Sequence, residues 1–210
     1  MKIMKRCIID FLYSIKNKLL MIYCKCRGIK CIIGKKATIC KYVRFILRKK
    51  GTINIGLSST LCRSSKIVID GGELLIGNNT CIGENCIFNC FETIIIGDNV
   101  VTADNINFIT NTHNYKDISK PINEQGGEAR PIIVGDGSWI GINSTILDGT
   151  VIGKNCVVGA HSLVKGSFPD YCVIAGAPAK IIKRYNEQNK LWIREIKGDS
   201  SNGWYYNCEL

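Results

Sequence analysis

The chain contains two histidines, and imidazole is the side chain whose ordinary pKa best suits proton transfer near neutral pH. His113 lies in the segment TNTHNY, at the beginning of a long polar stretch. In that place it could act as a general base that removes a proton from an attacking hydroxyl or amine. The residue taken alone leaves a second interpretation open, in which His113 is a surface histidine of a loop with no part in chemistry.

Cysteines are the other reactive side chains, and the chain has 12 of them. Cys24, Cys26 and Cys31 lie close together, but no histidine accompanies them and their spacing is poor for zinc, so we predict no metal site. The apolar stretch near the N-terminus contains Asp10, and no small-residue cleavage site follows it, which argues against a secretion signal. We therefore expect a reduced, cytoplasmic protein without a disulfide scaffold.

The net charge of +11 is concentrated near the N-terminus. Residues 1–50 contain 15 Lys or Arg and a single acid, whereas residues 51–210 contain 13 bases and 16 acids. The apolar residues of 3–27 follow the periodicity of one helix face, at Ile8, Leu12, Ile15, Leu19 and Ile22. This basic amphipathic helix could contact an anionic membrane or cap one end of the fold, and both interpretations remain open. We expect no binding to nucleic acid, because no helix-turn-helix, zinc or aromatic-strand motif accompanies the basic residues.

A six-residue apolar period runs through most of the chain. Its most regular part has an aliphatic residue at every sixth position: Val134, Ile140, Ile146, Ile152, Val158 and Val164. The fifth residue of each of these hexads is small: Ser138, Ser144, Thr150, Cys156 and Ser162. Neither a helix nor a plain amphipathic strand repeats every six residues. The period therefore predicts a stacked coil with three short strands per turn, whose aliphatic and small residues point inward. An ordinary β-sandwich is the alternative, but it needs strict alternation and irregular loops.

Two parts of the chain depart from the period. Residues 111–131 are polar and are predicted to leave the coil at one corner as an excursion loop. After Pro178 we predict a short helix over Ala179–Glu195. The chain is accordingly divided into a basic N-terminal helix at 1–30, a β-helix domain at 31–184, and a C-terminal helix and tail at 185–210.

Two positions of the repeat that cannot enter the core carry ring side chains. His161, in GAHSL, occupies the fourth position of its hexad, which faces outward, so we expect it to be exposed and without a catalytic role. Trp139, in GSWIG, is placed at a turn of the narrow coil, where an indole cannot enter the core and is expected to pack against a surface outside it. Packing of Trp139 beneath the excursion loop is the alternative.

These residues resemble the hexapeptide-repeat acyltransferase family over about 32–184, and most specifically over 105–183. The segment AGAPAKIIKR at 175–184 matches the C-terminal signature of that family. The resemblance implies a left-handed parallel β-helix, which departs from the usual right-handed crossover. It also implies a homotrimer with active sites between subunits, acetyl-CoA as the donor, and direct transfer without a cysteine nucleophile or a metal.

The resemblance also assigns roles to residues by position. His113 matches the catalytic base, although its Asn neighbours differ from the Gly-His-Pro of many members, and Asn111 and Trp139 would lie near the acceptor. The backbone at Gly141 and Ala160 would contact the pantetheine arm, with the Gly141 N–H as an oxyanion donor.

Phosphates of the coenzyme would meet the lysines of the C-terminal part of the repeat, which are Lys165, Lys180 and Lys183. Many members of the family have Arg where this chain has Lys180. A solvated face that binds no phosphate is the alternative for these lysines.

The acceptor is the least determined part of the prediction. The excursion and the segment SFPDYCVIAGAPAKIIK at 167–183 resemble enzymes that O-acetylate sugars of capsule, exopolysaccharide or lipopolysaccharide. Such glycan acceptors lie at the inner face of a membrane, where a basic helix could bind anionic lipids. A small-molecule acetyltransferase of the galactoside, maltose or antibiotic type is the first alternative. A non-enzymatic β-helix scaffold is the second, and two histidines are too few for a carbonic-anhydrase-like metal site.

Overall fold

The computed structural model describes residues 15–194. Their body is a parallel β-helix of six complete coils, each with one short strand on each of three faces. The first three coils are β1 (Lys30–Ile33), β2 (Thr38–Ile39), β3 (Arg44–Leu47), β4 (Thr52–Ile55), β5 (Thr60–Leu61), β6 (Lys66–Ile69), β7 (Glu73–Ile76), β8 (Cys81–Ile82) and β9 (Ile87–Cys90). The fourth coil is β10 (Ile94–Ile96), β11 (Val101–Thr102) and β12 (Asn107–Ile109).

An excursion follows the fourth coil, with β13 (Asn111–His113), a 3₁₀ helix (Ile122–Glu124) and β14 (Gly127–Ala129). The fifth and sixth coils are β15 (Ile132–Val134), β16 (Trp139–Ile140), β17 (Thr145–Leu147), β18 (Val151–Ile152), β19 (Val157–Val158) and β20 (Leu163–Val164). A partial coil and a hairpin complete the described chain: β21 (Ser167–Phe168), β22 (Cys172–Gly176), β23 (Ala179–Asn186) and β24 (Leu191–Arg194).

The strands pair between coils, not within them. Face A contains β1, β4, β7, β10, β15, β18 and β21, and face B contains β2, β5, β8, β11, β16, β19 and β22. Face C contains β3, β6, β9, β12, β17 and β20. Because the chain passes from A to B to C in every coil, the three edges of the prism are the A–B, B–C and C–A corners.

Inward positions of the repeat form one continuous core, as the period predicts. From Val134 to Val164, every sixth residue is at most 1% exposed. The small residues beside them are buried too, and Ser138 and Ser144 donate hydrogen bonds of 3.0 Å to carbonyl oxygens one coil away. Cys156 takes the same kind of place as a compact apolar residue, since burial raises the pKa of its thiol and keeps it neutral.

The turns between faces explain the asparagines of the repeat. Many turns hold one residue in the left-handed region, with φ between 50° and 60° at Asn79, Asn85, Asn99, Asn105, Asn143 and Asn155. His161 occupies the equivalent place with φ of 57° and is exposed, which confirms the predicted exposure. Asn and His are among the non-glycine residues that tolerate this conformation best, so His161 has a backbone reason for its place.

The predicted helix over Ala179–Glu195 is wrong for the described part of that segment, and its remainder lies outside the described residues. Strands β23 and β24 form an antiparallel hairpin that adds to β22 on face B, and side chains of β23 alternate between half-buried and exposed. The last strand of face B would otherwise present unpaired backbone groups at its outer edge. Pairing with β23 satisfies those groups, which a helix could not do.

A helix over residues 15–26 covers the opposite end of the β-helix, where the N-terminal helix was predicted. Residues 1–14, including Ile8 and Leu12 of the apolar stripe, lie outside the described residues. Within 15–26, Cys24 is fully buried and belongs to the core. Lys16 and Asn17 donate hydrogen bonds to backbone carbonyl oxygens of the first coil, so the helix caps that coil. No helix in the described range 15–194 is long and apolar enough to cross a membrane.

Candidate active site

His113 lies on the outer arm of the excursion, which leaves the body at the C–A corner between β12 and β15. Strand β13 pairs antiparallel with β14, and His113 is opposite Gly127. A Cβ on Gly127 would lie 2.5 Å from the carbonyl oxygen of Thr112, so glycine permits this close pairing. His113 is exposed. A ligand at this corner can therefore reach the imidazole.

Asn111 accompanies His113 on the same strand, two residues earlier. Side chains two residues apart project to the same side of a strand, so Asn111 and His113 share one side of the arm. The Oδ1 atom of Asn111 is buried and has no hydrogen-bond partner within residues 15–194. A buried acceptor without a donor is costly, so a turn of the Asn111 side chain that brings this atom to a bound hydroxyl would satisfy it.

A buried residue anchors the base of the excursion. Thr110 is fully buried; its hydroxyl donates to the carbonyl oxygen of Asn89 at 2.7 Å and accepts the N–H of Phe91 at 3.0 Å. Its own carbonyl oxygen accepts the N–H of Arg130 at 2.9 Å, which ties the two ends of the excursion together. The arm that carries His113 therefore leaves from a fixed point.

Asp148 is a second anchor, which was not predicted from the sequence. Its side chain is 4% exposed and pairs with Lys165 at 2.9 Å and with Arg130 at 3.8 Å. Lys165, predicted to meet a phosphate, is instead held by this carboxylate. The signal in the sequence was an acid directly after a repeat strand, in LDGT, but its buried environment follows only from the stacking of coils.

Trp139 begins strand β16 on face B, so its expected place at a turn is wrong. Its side chain points outward from the strand and is 53% exposed, beside Val101 of the preceding coil, which is 48% exposed. The indole does not lie beneath the excursion, because the excursion leaves from the C–A corner. Face B therefore presents an exposed apolar pair that one chain leaves uncovered.

The B–C corner carries the other residues assigned to the cofactor. The N–H of Gly141 donates to the carbonyl oxygen of Val158 at 2.8 Å, so it is not free to act as the predicted oxyanion donor. Two neighbouring N–H groups, of Ile142 and Ala160, have no acceptor among the described residues. In a lower coil, the equivalent N–H group of Glu84 donates to the carboxylate of Asp104 at 2.7 Å.

The reason for these open donors is the side chain in the next coil. Asp104 is stacked on Glu84 and accepts its N–H, whereas Ala160 is stacked on Ile142 and Gly176 on Ala160, and neither of these has a side-chain acceptor. The B–C corner thus presents two successive backbone donors to solvent. Such donors can pair with the amide carbonyls of a pantetheine arm or with a developing oxyanion. The sequence signal was an apolar residue where other hexads place an acceptor.

Two of the three predicted phosphate-binding lysines come together at the C-terminal hairpin. Lys180 and Lys183 on β23 line a cavity of about 350 Å³ with Arg194 of β24, whereas Lys165 is not among its lining residues. None of these three lining cations has an ion-pair partner in the described part of the chain. The cavity is therefore a basic pocket suited to phosphate, and Arg194 was missed because a helix was expected there.

No cluster of three or more His, Cys, Asp or Glu residues that could hold a metal ion occurs among residues 15–194. The ten cysteines of this range are not joined in disulfides.

Comparisons with known proteins agree with this architecture. The family model for the bacterial transferase hexapeptide (six repeats) matches residues 131–166, and that for the hexapeptide repeat of succinyl-transferase matches residues 74–106. The chain is 33% identical over 163 residues to WbbJ of Escherichia coli K12, which is provisionally named a lipopolysaccharide biosynthesis O-acetyl transferase. The aligned region covers 73% of this chain and 83% of that protein.

Two further similarities extend the comparison. The chain is 39% identical over 112 residues to Rv3034c of Mycobacterium tuberculosis, provisionally named an acetyltransferase, but these residues are only 53% of this chain and 37% of that protein. Among solved structures, the polySia specific acetyltransferase NeuO superposes with a TM-score of 0.66 at 27% identity, over 82% of this chain and 72% of that one. The fold is a parallel β-helix, as the repeat predicted, and it is left-handed, as the family resemblance implied.

Proposed function

Since the chain belongs to the family of hexapeptide-repeat acetyltransferases, we propose that it transfers an acetyl group from acetyl-CoA to a sugar hydroxyl. The names of the relatives support a glycan acceptor of capsule, exopolysaccharide or lipopolysaccharide synthesis. A lipid-linked acceptor of this kind would place the reaction in the cytoplasm, at the inner face of the membrane. The observation that carries the proposal is an exposed imidazole and a buried, unpaired Asn111 acceptor on one side of the excursion.

The residues of the B–C corner and of the C-terminal hairpin fit the donor. Open N–H groups of Ile142 and Ala160 suit the amides of pantetheine, and Lys180 and Lys183 suit the nucleotide phosphates. When bound, acetyl-CoA supplies an activated thioester carbon. His113 accepts the proton of the acceptor hydroxyl as its oxygen bonds to the thioester carbon; the carbon–sulfur bond then breaks, and His113 returns the proton to the departing thiolate.

The proposed site is shared between subunits of a homotrimer. Within one chain, His113 is at the C–A corner and Ile142 is at the B–C corner, with the whole of face C between them. One copy's excursion reaches a neighbour's B–C corner only across an interface. The exposed pair Trp139 and Val101 on face B supplies apolar surface for such a contact, and Trp139 would then lie near the acceptor.

The test is release of thiol from acetyl-CoA in the presence of separate acceptors: an anionic polysaccharide, a neutral polysaccharide, free galactoside and maltose, and small alcohols. We expect turnover with a polysaccharide, and a loss of about 10²- to 10⁴-fold in His113→Ala because the general base is removed. His161→Asn is the matched control, because it removes the other imidazole and asparagine tolerates the left-handed backbone of that turn; it should keep full turnover.

Each other outcome of this assay has a meaning. Turnover with free galactoside or an alcohol, but not with polysaccharide, would replace the glycan acceptor by the small-molecule alternative. Full activity of His113→Ala would remove His113 from the mechanism, and no thiol release with any acceptor would favour a scaffold.

A further inference from the structure

The helix at 15–26 packs one face on the β-helix and leaves an apolar face exposed. Asn17 and Cys24 are buried against the first coil. On the other side, Leu19 and Ile22 are 62% and 59% exposed, and Tyr23 is 48% exposed. The predicted stripe of Ile15, Leu19 and Ile22 therefore faces away from the protein as a contiguous apolar strip, and such a strip is typical of an interaction site.

The charge around this exposed face is of one sign. Residues 15–50 contain 12 Lys or Arg and no acid. Beside Ile22, a cavity of about 500 Å³ is lined by Lys18, Met21, Ile22, Lys25, Ile29, Lys30 and Cys31. The three lysines of this lining have no ion-pair partner within the described residues. The surface thus combines an apolar strip with a rim of uncompensated positive charge.

We propose that this surface, formed by Lys18, Leu19, Ile22, Tyr23 and Lys25, binds the face of a phospholipid bilayer that contains anionic lipids. The helix would lie in the plane of the interface, with its apolar side chains among the acyl chains and its lysines at the headgroups. Contact with a second copy of the same surface fits less well, because it would place the lysine rims of two chains against each other. The inference stands on the helix alone and does not require the proposed acetyl transfer, although it would bring the enzyme to lipid-linked acceptors.

The experiment is sedimentation of the full chain with vesicles of phosphatidylcholine, with and without phosphatidylglycerol. We expect binding at least about 10-fold stronger to the anionic vesicles, and a loss of that binding as salt is raised. The double variant Leu19→Ser, Ile22→Ser and the double variant Lys18→Gln, Lys25→Gln should each lose about 10-fold or more. All four side chains are exposed, so the thermal unfolding temperature should not change.

Two control variants distinguish binding through this surface from nonspecific adsorption to vesicles. Ile118→Ser removes an apolar residue that is 100% exposed on the excursion, and Lys190→Gln removes an exposed lysine at the other end of the protein; both should bind as the unchanged protein does. Equal sedimentation of the helix variants and the unchanged chain would overturn the proposal. So would a change of oligomeric mass in Leu19→Ser, Ile22→Ser, which would assign the face to a second copy. Thiol release with a water-soluble acceptor should be unchanged in the two helix variants, so failure here is distinct from failure of the proposed function.

Discussion

Asp148 is a residue outside the proposed reaction that holds the part of the chain from which His113 extends. Its side chain is 4% exposed, and the carboxylate contacts Arg130 at the end of the excursion and Lys165 of the next coil. Asp70 is in the same position of the second coil, after the face C strand, and pairs with Arg48 and Lys49. The fold therefore provides two similar carboxylates that are shielded from solvent, a buried one near the excursion and a largely buried one distant from it.

We predict that Asp148→Asn lowers kcat by about 10- to 100-fold, because a small misplacement of a reacting group is costly, while the KM for acetyl-CoA stays unchanged. Both Asp148→Asn and Asp70→Asn should lose about 1 kcal/mol of unfolding free energy, since each weakens the pairing of a shielded carboxylate with cations that are more than half exposed. Steady-state kinetics and urea unfolding measure the two effects. If Asp70→Asn loses as much kcat as Asp148→Asn, the effect is general destabilisation, and Asp148 is not a positioning residue.

At the scale of elements, the stacking of coils restricts which residues fit at a corner. Gly141 and Gly159 occupy the same place in successive coils at the B–C corner. A Cβ on Gly141 would lie 2.6 Å from the backbone nitrogen of Ala160, whereas a Cβ on Gly159 would first meet the side-chain Cβ of Ala175 at 3.0 Å. The backbone at Ala160 cannot move away from such a Cβ unless the whole coil shifts, so Gly141 tolerates a side chain less well than Gly159 does.

We therefore predict that Gly141→Ala destabilises the protein by about 1–3 kcal/mol through overpacking, and that Gly159→Ala costs less. Because Gly141 precedes the open N–H of Ile142, Gly141→Ala should also raise the KM for acetyl-CoA. Urea unfolding and kinetics at varied acetyl-CoA provide the measurements. A Gly141→Ala protein as stable as the unchanged chain would show that the coils are not packed as closely as described.

At the scale of the molecule, the prism separates the proposed catalytic and donor-binding residues. His113 projects from the C–A corner, and the basic pocket of Lys180 and Lys183 belongs to the hairpin on face B. A closed ring of copies would bring one chain's excursion to its neighbour's face B. Three equal subunits would make three equal sites.

We predict a mass near three times 23.3 kDa by sedimentation equilibrium. We further predict the result of unfolding and refolding two variants together in equal amounts: His113→Ala, and the double variant Lys180→Glu, Lys183→Glu. About one quarter of the activity at low acetyl-CoA should return, because about one quarter of the shared sites in random closed trimers would combine an intact His113 with an intact lysine pair. A monomeric mass, or no recovery when mixed trimers have formed, would place the complete site within one chain.

The sequence by itself determined the repeat and therefore the coil. Residues from Val134 to Val164 are buried at every sixth position because the period belongs to the chain and needs no distant partner to define it. The same is true of the excursion at 111–131, which the loss of the period marks, and of the exposed turn at His161. The family signature at 175–184 was equally visible, since it is a contiguous run of residues.

Only the tertiary structure decided how residues are paired between coils and at the two ends. Lys165 meets Asp148, and the Gly141 N–H meets Val158, because partners 17 residues apart become neighbours when coils stack. The segment after Pro178 became a strand because β22 presented an edge to pair with. The helix at 15–26 turned Asn17 and Cys24 inward because the first coil has carbonyl oxygens and core to cover. These pairings depend on which hydrogen-bonding groups and apolar surfaces another part of the chain leaves unpaired, and a local pattern of residues does not contain that information.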